Sequence, residues 1–503
     1  MIIINKIVGA YFAKREVDIK KQIQQPIDCQ FEVWKSLLKK AQHTEYGKLY
    51  DFGSIKSIEE YANRLPIVTY DSLFPYIERV IKGEKNVLWF GKTTIFSKSS
   101  GTSGNKSKFI PITQDALFGN NYKSGKDSLT IYINNCPHTK LFNGKTFSLT
   151  GTLSVSPLNP NAHCGDVSAI LLKSLPSWAN FFKTPPYKIA LMADWDKKME
   201  AFAQHLRHQN VVAMAGVPSW ILMIVNRILA LENKNNLHAI WKNLELYMHG
   251  GVNFLPYKQH YQSITNDNLY YMQIYNASEG YFAAQDIPNA EDMLLFVNNG
   301  VFYEFIPLSD YLSGSRTAIS LDKVQVGVNY VVIISTNAGL WRYEIGDVVI
   351  FTSINPYRII ITGRTSHYIN TFGEEVIMDN VEKAISEACC QTLSTITEYT
   401  VAPIYMSNKT KAAHQWLIEF KKIPTNIDYF RKVLDDSLKR LNSDYEAKRS
   451  NDILLQIPDI VVLPEKTFEN WLTEKKRLGG QFKVKRLSND RLIADELLEM
   501  IKK

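Results

Sequence analysis

Cysteine is scarce in this chain and poorly spaced for chemistry. There are five, Cys29, Cys136, Cys164, Cys389 and Cys390. None stands in a Cys-x-x-Cys pair, and their odd number and wide scatter argue against a disulfide framework or a cysteine-based zinc site. Such usage suits a reducing, cytoplasmic setting. No apolar run approaches the ~20 residues a membrane span requires. The opening MIIINKIVGAYFAKREVDIKK is apolar first and basic second, the reverse of a secretory signal, and reads as a helix with one greasy face. Concentrated charge is missing as well. The net charge of +8 over 503 residues is modest. The densest basic piece, Lys475-Lys476-Arg477 through Lys483, Lys485 and Arg486, is most simply a solvated surface. Without a basic stripe or a base-stacking aromatic motif, neither nucleic acid nor membrane is expected as a partner. His205 and His208 share a helix face at i, i+3, but further metal ligands at suitable spacing are lacking. No internal repeat and no low-complexity tract occurs.

What is present is ample apolar material, 45% hydrophobic against 21% charged residues, enough for a sizeable core and for two to four domains at roughly 100–200 residues each. Residues 1–90 read as mostly helical, with Phe31, Trp34, Leu37, Leu38 and Ala41 at helix spacing and a turn at Tyr46-Gly47. Lys145–Val155 reads as one strand, and Met199–Arg207 as a helix. Val211–Gly216, Leu244–Met248 and Leu269–Tyr275 read as buried strands. Pro218 opens a helix with Ile221, Leu222, Ile224 and Val225 inward. Strands alternating with helices imply an α/β, partly α+β, architecture of mixed sheets flanked by helices. Residues 293–352 turn strand-rich and suggest an antiparallel or barrel-like subdomain. A boundary is expected near Gly363-Arg364, dividing a large N-terminal domain, 1–362, from a smaller mobile one, 363–503.

The stretch Thr93–Thr113, TTIFSKSSGTSGNKSKFIPIT, is the most informative. It reads as strand, loop, strand. Glycines let backbone N–H groups approach an anion, hydroxyls donate to phosphate oxygens, and a lysine neutralises charge, so Ser99, Ser100, Gly101, Thr102, Ser103, Gly104 and Lys106 suit a polyphosphate. No Gly-Lys-Ser/Thr run occurs, and a strand rather than a helix follows, so this is not a Walker A loop. The same composition would also serve an ordinary polar hairpin.

Further motifs follow in order. Tyr275-Asn276-Ala277-Ser278-Glu279-Gly280 closes a buried strand, where open α/β sheets bind ligands. Glu279 there could hold a Mg²⁺ that bridges phosphates, since Mg²⁺ commonly takes one or two carboxylates plus phosphate oxygens. Trp341-Arg342-Tyr343-Glu344-Ile345-Gly346-Asp347 ends in a turn presenting a carboxylate, which can accept both hydroxyls of a ribose. Gly363-Arg364 follows. Lys483, in a glycine-flanked segment near the C-terminus, could reach a reaction centre.

This ordered set, SSGTSGNKSKFIPIT, YNASEG, WRYEIGDVV, GRTSHYINTFGEEV, NSDYEAKR and LGGQFKVKRLSNDR, resembles the GH3 acyl-acid amido synthetase family within the adenylate-forming (ANL) superfamily. The bacterial branch is the nearest in its C-terminal text. The resemblance runs from about residue 20 to the end. It implies a large domain of two sheets and a barrel, and a smaller domain that swings over the site. It implies a ligase that uses ATP and Mg²⁺ to activate a small-molecule carboxylic acid as its acyl-adenylate, then passes the acyl group to an amine such as an amino acid. Plant members join amino acids to hormone acids such as auxin and jasmonate. By the same resemblance, Ser99 to Lys106 hold phosphates, and Tyr275, Asn276, Ala277 and Ser278 border the adenine. Glu279 binds Mg²⁺, Asp347 and Arg364 take the ribose side, and Lys483 supports adenylation. Val217, Trp220, Met223, Gly250 and Gly251 line part of the acyl pocket.

Two positions depart from the pattern. His367 stands where the superfamily usually has an acidic hinge residue, and Lys485 stands where a proline is expected after the Gln-x-Lys text. Coenzyme A as the acceptor, or a nucleotide-binding protein without catalysis, are the alternative readings. The acid, the amine and the oligomeric state are not legible.

Overall fold

The computed structural model describes residues 12, 15–99, 108–156, 158–175, 177–192, 194–251, 254–365, 368–369, 374, 376–405, 412–449, 455–475 and 484–502. The chain divides into two compact units. Of the described residues, the first holds those up to 345 and 349–360, and the second holds 346–348 and those from 361 on.

In the first unit, β1 (Ile95–Ser99), β2 (Lys108–Pro111), β3 (Lys145–Ser148), β4 (Leu153–Ser156), β5 (Asn159–Gly165), β6 (Lys183–Thr184), β7 (Val211–Gly216), β8 (Leu246–His249) and β9 (Tyr270–Ala277) lead into β10 (Gly280–Ala284), β11 (Met293–Leu295) and β12 (Val301–Pro307). Then come β13 (Ile319–Ser320), β14 (Asn329–Thr336), β15 (Tyr343–Ile354) and β16 (Tyr357–Arg364), the last two carrying residues of both units. A four-stranded sheet has the order β2-β1-β5-β4, and a twelve-stranded sheet the order β13-β12-β14-β15-β16-β11-β10-β9-β8-β7-β3-β6. β6, β3, β7, β8 and β9 are parallel neighbours, whereas β9, β10, β11 and β16 pair antiparallel. The strand-rich text of 293–352 thus lies in the antiparallel part of one mixed sheet.

The local causes are legible in the residues. Helix Pro26–Ala41 starts on a proline at its first turn, carries Asp28 there and Lys39 and Lys40 in its last turn, and buries Cys29, Val33, Trp34, Leu37, Leu38 and Ala41. That placement complements the helix dipole and turns a single stripe inward. Phe31, read as part of that stripe, is 40% exposed, because it lies off the stripe's axis. β7 reads VVAMAG with Val211–Met214 all buried, as expected for a parallel strand covered on both faces. The helix Pro218–Glu232 buries Ile221, Ile224, Val225 and Ile228 completely; Leu222 is only partly buried.

Two sequence expectations need correction. Tyr46-Gly47 lies inside a short helix, Glu45–Leu49, capped by Thr44, not in a turn. Lys145–Val155 is two strands, β3 and β4, in different sheets. Thr150 and Gly151 break the run, because Lys198 Nζ draws in both of their carbonyls and Asp166 occupies the space a Cβ at Gly151 would need.

The second unit pairs β17 (Tyr368–Ile369) with β18 (Val376–Ile377), and sets β19 (Thr395–Ile404), β20 (Ala413–Lys422) and β21 (Asp459–Leu463) in one sheet. Helices Met378–Thr392 and Ile427–Leu441 close a core around Trp416, Ile418, Phe430, Leu434 and Tyr445. Among the described residues, no helix is long and apolar enough to cross a membrane.

Candidate functional site

The parallel strands set the candidate residues of the first unit along one edge. Gly216 at the end of β7 is level with His249 at the end of β8, and His249 with Gln273 in β9. β9 continues four residues further, to Ala277, and turns back through Ser278 and Glu279 into β10, with Gly280 opposite Ala277 and Tyr281 opposite Asn276. Glu279 therefore stands at a hairpin tip beyond the carboxyl ends of its neighbours, half-exposed.

Around that tip the predicted adenosine residues differ in environment. Tyr275 is 5% exposed, its ring edge-on to Phe282 at 4.9 Å. Asn276 Oδ1 is buried and accepts no hydrogen bond. An amide oxygen in that state is costly unless a donor reaches it, so it is an opening for a ligand N–H. Ala277 and Ser278 are half-buried.

The predicted acyl-pocket residues follow the ends of the next two strands, Val217, Trp220 and Met223 after β7 and Gly250 and Gly251 after β8. Val217 caps the helix that Pro218 begins. Tyr247 Oη donates to Gly216 O at 3.3 Å and Tyr261 Oη to Pro218 O at 2.7 Å, with the two phenols 3.2 Å apart. These tyrosines, which the sequence reading passed over, fix the strand-to-helix turn. Trp220 packs partly onto the core, while Met223 is on the outer face, 53% exposed. A Cβ at Gly250 would meet Ile274 O at 2.5 Å, and Gly251 has φ +79°, so both glycines answer a backbone requirement. His249 lies beneath them, 3% exposed, stacked on Phe254 at 4.0 Å, with Nδ1 unbonded. Burial pushes its pKa down to about 3, so the ring is neutral.

The Trp-Arg-Tyr text is a brace. Trp341 Nε1 donates to Leu88 O at 3.1 Å. Arg342, 4% exposed with φ +43°, makes a two-pronged pair with Glu304 (3.0 and 2.9 Å) and donates to Ala62 O and Leu65 O at 2.6 and 2.5 Å. Burial pushes the Glu304 carboxyl up, against the pull of Arg342.

Within the second unit, Asp347 and Arg364 do meet. Arg364 Nε lies 2.9 Å from Asp347 Oδ1. Thr365 N donates to Gly346 O at 2.8 Å, and Gly346 takes φ +86°, a left-handed conformation that glycine adopts freely; the expected turn is absent there, because Gly346 and Asp347 both continue β15. Tyr445 and Arg449 of the NSDYEAKR text both bond Asp435: Tyr445 Oη at 2.8 Å, Arg449 Nε at 2.7 Å and Nη2 at 2.8 Å. That motif is a buried structural knot. Arg486 joins Glu382 and Glu398, and Val484 is buried beside Leu417 and Trp471. The stretch that follows Lys483 is therefore anchored.

Ser99 pairs with Lys108 at the last rung of β1 and β2. Ser100, Gly101, Thr102, Ser103, Gly104 and Lys106 lie outside the described residues, as do His367 and Lys483. Among the described residues, no group of three or more His, Cys, Asp or Glu side chains could hold a metal; His205 instead bonds Thr184 Oγ1 at 3.1 Å. A cavity of about 400 Å³ between Tyr132, Glu245, Asp267 and Tyr270 opens at the other, N-terminal end of β8 and β9. None of the candidate residues lines it.

Comparison with known proteins follows the same order along the chain. Residues 15–269 match the GH3 family N-terminal domain, 294–364 the GH3 family central domain and 379–492 the GH3 family C-terminal domain. Jasmonoyl--L-amino acid synthetase JAR6 of Nicotiana attenuata is 23% identical over 392 residues, 64% of this chain and 66% of the relative. The chain thus spans just under two thirds of that ligase. Indole-3-acetic acid-amido synthetase GH3.4 of Arabidopsis thaliana is 22% identical over 93% of this chain and 90% of its own length. The solved structure of GH3.15 acyl acid amido synthetase superposes with a TM-score of 0.78 at 17% identity, covering 98% of this chain and 96% of that one. The likeness establishes the fold.

Proposed function

The chain belongs to the GH3 family, and on that premise we propose that it is an ATP-dependent acid–amino acid ligase of the acyl-adenylate type. The carrying observation is the β9–β10 tip, where Glu279 stands at the turn and Asn276, three residues before it, keeps a buried, unbonded Oδ1. The relatives' names, jasmonoyl and indole-3-acetic acid amido synthetases, support the choice of an amino acid as acceptor.

In the first step a carboxylate oxygen of the acid attacks the α-phosphorus of ATP and pyrophosphate leaves. In the second an amine attacks the acyl carbon, and AMP leaves. The carbonyl is activated by its phosphate, so no protein nucleophile is required. Asn276 Oδ1 suits the exocyclic amine of adenine, and Asp347, oriented by Arg364, the ribose hydroxyls. A single carboxylate at a turn, with no wider cluster of ligands among the described residues, fits Mg²⁺ held largely by phosphate oxygens. The ion would neutralise charge that gathers on the phosphates in the transition state. Ser99–Lys106 and Lys483 are assigned the phosphate-facing roles on the resemblance alone. Removing one such preorganised donor typically costs about 3–4 kcal/mol of barrier. The neutral His249 and the surrounding Tyr247, Phe254 and Tyr261 favour an acid with an aromatic or apolar body placed against Val217, Trp220, Gly250 and Gly251, with Met223 left outside it. We assign adenylation to residues 1–362 and a mobile closing role to 363–503. The free cysteines suit a cytoplasmic location.

The test is pyrophosphate release with ATP and Mg²⁺ over a panel of carboxylic acids, alone, with mixed amino acids, and with coenzyme A. Acid-dependent release that rises with amino acids supports the reading. Stimulation by coenzyme A alone replaces it with thioester formation, and ATP binding without release across the panel rejects the ligase.

A further inference from the structure

A π-helical turn, Leu117–Asn121, interrupts the helical run between Gln114–Ala116 and Tyr122–Asn135. An inserted residue of this kind re-aims the side chains around it. Here Asn120, 2% exposed, is aimed at the backbone of Tyr281, two residues past Glu279. Its Oδ1 accepts from Tyr281 N at 2.8 Å, and its Nδ2 donates to Tyr281 O at 3.1 Å and to Asn299 O at 2.8 Å. β11 pairs with β10 at Ala283 and Ala284, and Phe296 N just beyond it donates to Phe282 O at 2.8 Å. Tyr281 falls short of that ladder, and one primary amide supplies the donor and acceptor that a neighbouring strand would have offered.

The clamp is itself held. Ser124 Oγ donates to Tyr281 O at 3.0 Å, and the Ser128 hydroxyl meets the Tyr281 phenol at 2.6 Å. Asn299 Nδ2 donates to Ser124 Oγ at 3.0 Å and to Asp127 Oδ2 at 2.9 Å. Asp127, fully buried, is paired with Arg15 at 2.6 Å. A Cβ at Gly280 would stand 2.9 Å from Asn120 Oδ1, so the contact reaches the residue next to Glu279.

We infer that Asn120 is a positioning residue for the nucleotide site: it fixes the β9–β10 tip so that the Glu279 carboxylate meets the metal–phosphate group without reorganising. The inference rests on the proposed role of Glu279. Partners one shell removed from a metal ligand typically contribute 10–100-fold to metal affinity or activity.

The experiment reads ATP affinity by calorimetry in Mg²⁺ and in EDTA, with no acid present and hence no turnover. It uses the full chain and the variants Asn120→Ala, Glu279→Gln and their double. The expected result is a roughly tenfold fall in the Mg²⁺-dependent gain for Asn120→Ala. Affinity in EDTA should stay unchanged, and Asn120→Ala should add no further loss in the Glu279→Gln background. Amide hydrogen exchange at Tyr281 should rise in ligand-free Asn120→Ala. A wild-type Mg²⁺ gain in Asn120→Ala, beside a lost gain in Glu279→Gln, overturns the positioning role alone. Equal losses in Mg²⁺ and EDTA also overturn it, as general damage. An unchanged gain in Glu279→Gln removes the metal reading and the positioning role with it. Should Asn120→Ala fail to fold, Ser124→Ala, which removes one bond to the same carbonyl, takes its place; an undiminished gain there is the overturning result.

Discussion

Two stretches of the first unit are held by opposite means. The β9–β10 tip is gripped by Asn120, whose neutral amide meets a backbone N–H and two backbone carbonyls. The chain entering β15 is gripped by Arg342, a buried charge paired with Glu304 and two carbonyls. A neutral amide fixes geometry with little at stake electrostatically. A buried ion pair stores a large desolvation cost that appears as soon as one partner is lost. The first suits a turn that must present a group accurately. The second suits a joint that must not open, and it also sustains the left-handed backbone of Arg342.

The largest expected effect tests the charged joint. Glu304→Gln leaves Arg342 buried without a counter-charge and should cost about 3–5 kcal/mol of stability, read by urea unfolding. A loss below about 1 kcal/mol would mean that the two carbonyls suffice, and the contrast would collapse. Next, Glu279→Ala should lower acid-dependent pyrophosphate release by about 10²–10³-fold and lower the melting temperature less than Glu304→Gln does, because Asn120 and Ser124 still hold the backbone of Tyr281 beside it. A fall in melting temperature as large as that of Glu304→Gln would make Glu279 a structural residue instead. Smaller again is Gly280→Ala. Its Cβ would press on Asn120 Oδ1 and Phe282 Cε1, each at 2.9 Å, at a cost of about 1–3 kcal/mol, and calorimetric melting would measure it.

The smallest concerns a third kind of grip. Lys198, 1% exposed, holds Thr150 O and Gly151 O, and burial lowers its pKa to about 8. The unfolded chain binds more protons than the folded one between about 8 and the ordinary lysine value, so wild-type stability should rise relative to Lys198→Met as pH climbs from 8 to 10. A flat difference between the two melting curves would show that the site carries no such depressed group.

Periodicity carried the sequence reading furthest where one side chain's spacing decides its face. The helix Pro26–Ala41, the buried run of β7 and the proline-started helix at 218 were legible for that reason. So was the order of the motifs, which matches the N-terminal, central and C-terminal domains of the GH3 family in turn. Asn120, Asp127 and Asn299 were not legible: each is an ordinary polar residue until a fold places it against a backbone far along the chain, 161 residues away for Asn120 and Tyr281. Tyr445 and Arg449 were legible as a motif but not as a structural one, because only burial shows that Asp435 absorbs both.

By itself the sequence determined the α/β class, the hairpin tip that carries Glu279, and the family, because these rest on local patterns that any folded copy must keep. The tertiary structure alone decided which polar side chains brace that tip, that Lys145–Val155 splits between two sheets, and that His249 is neutral. Those outcomes depend on what is taken out of water and what lies opposite, and neither quantity exists until the chain has packed.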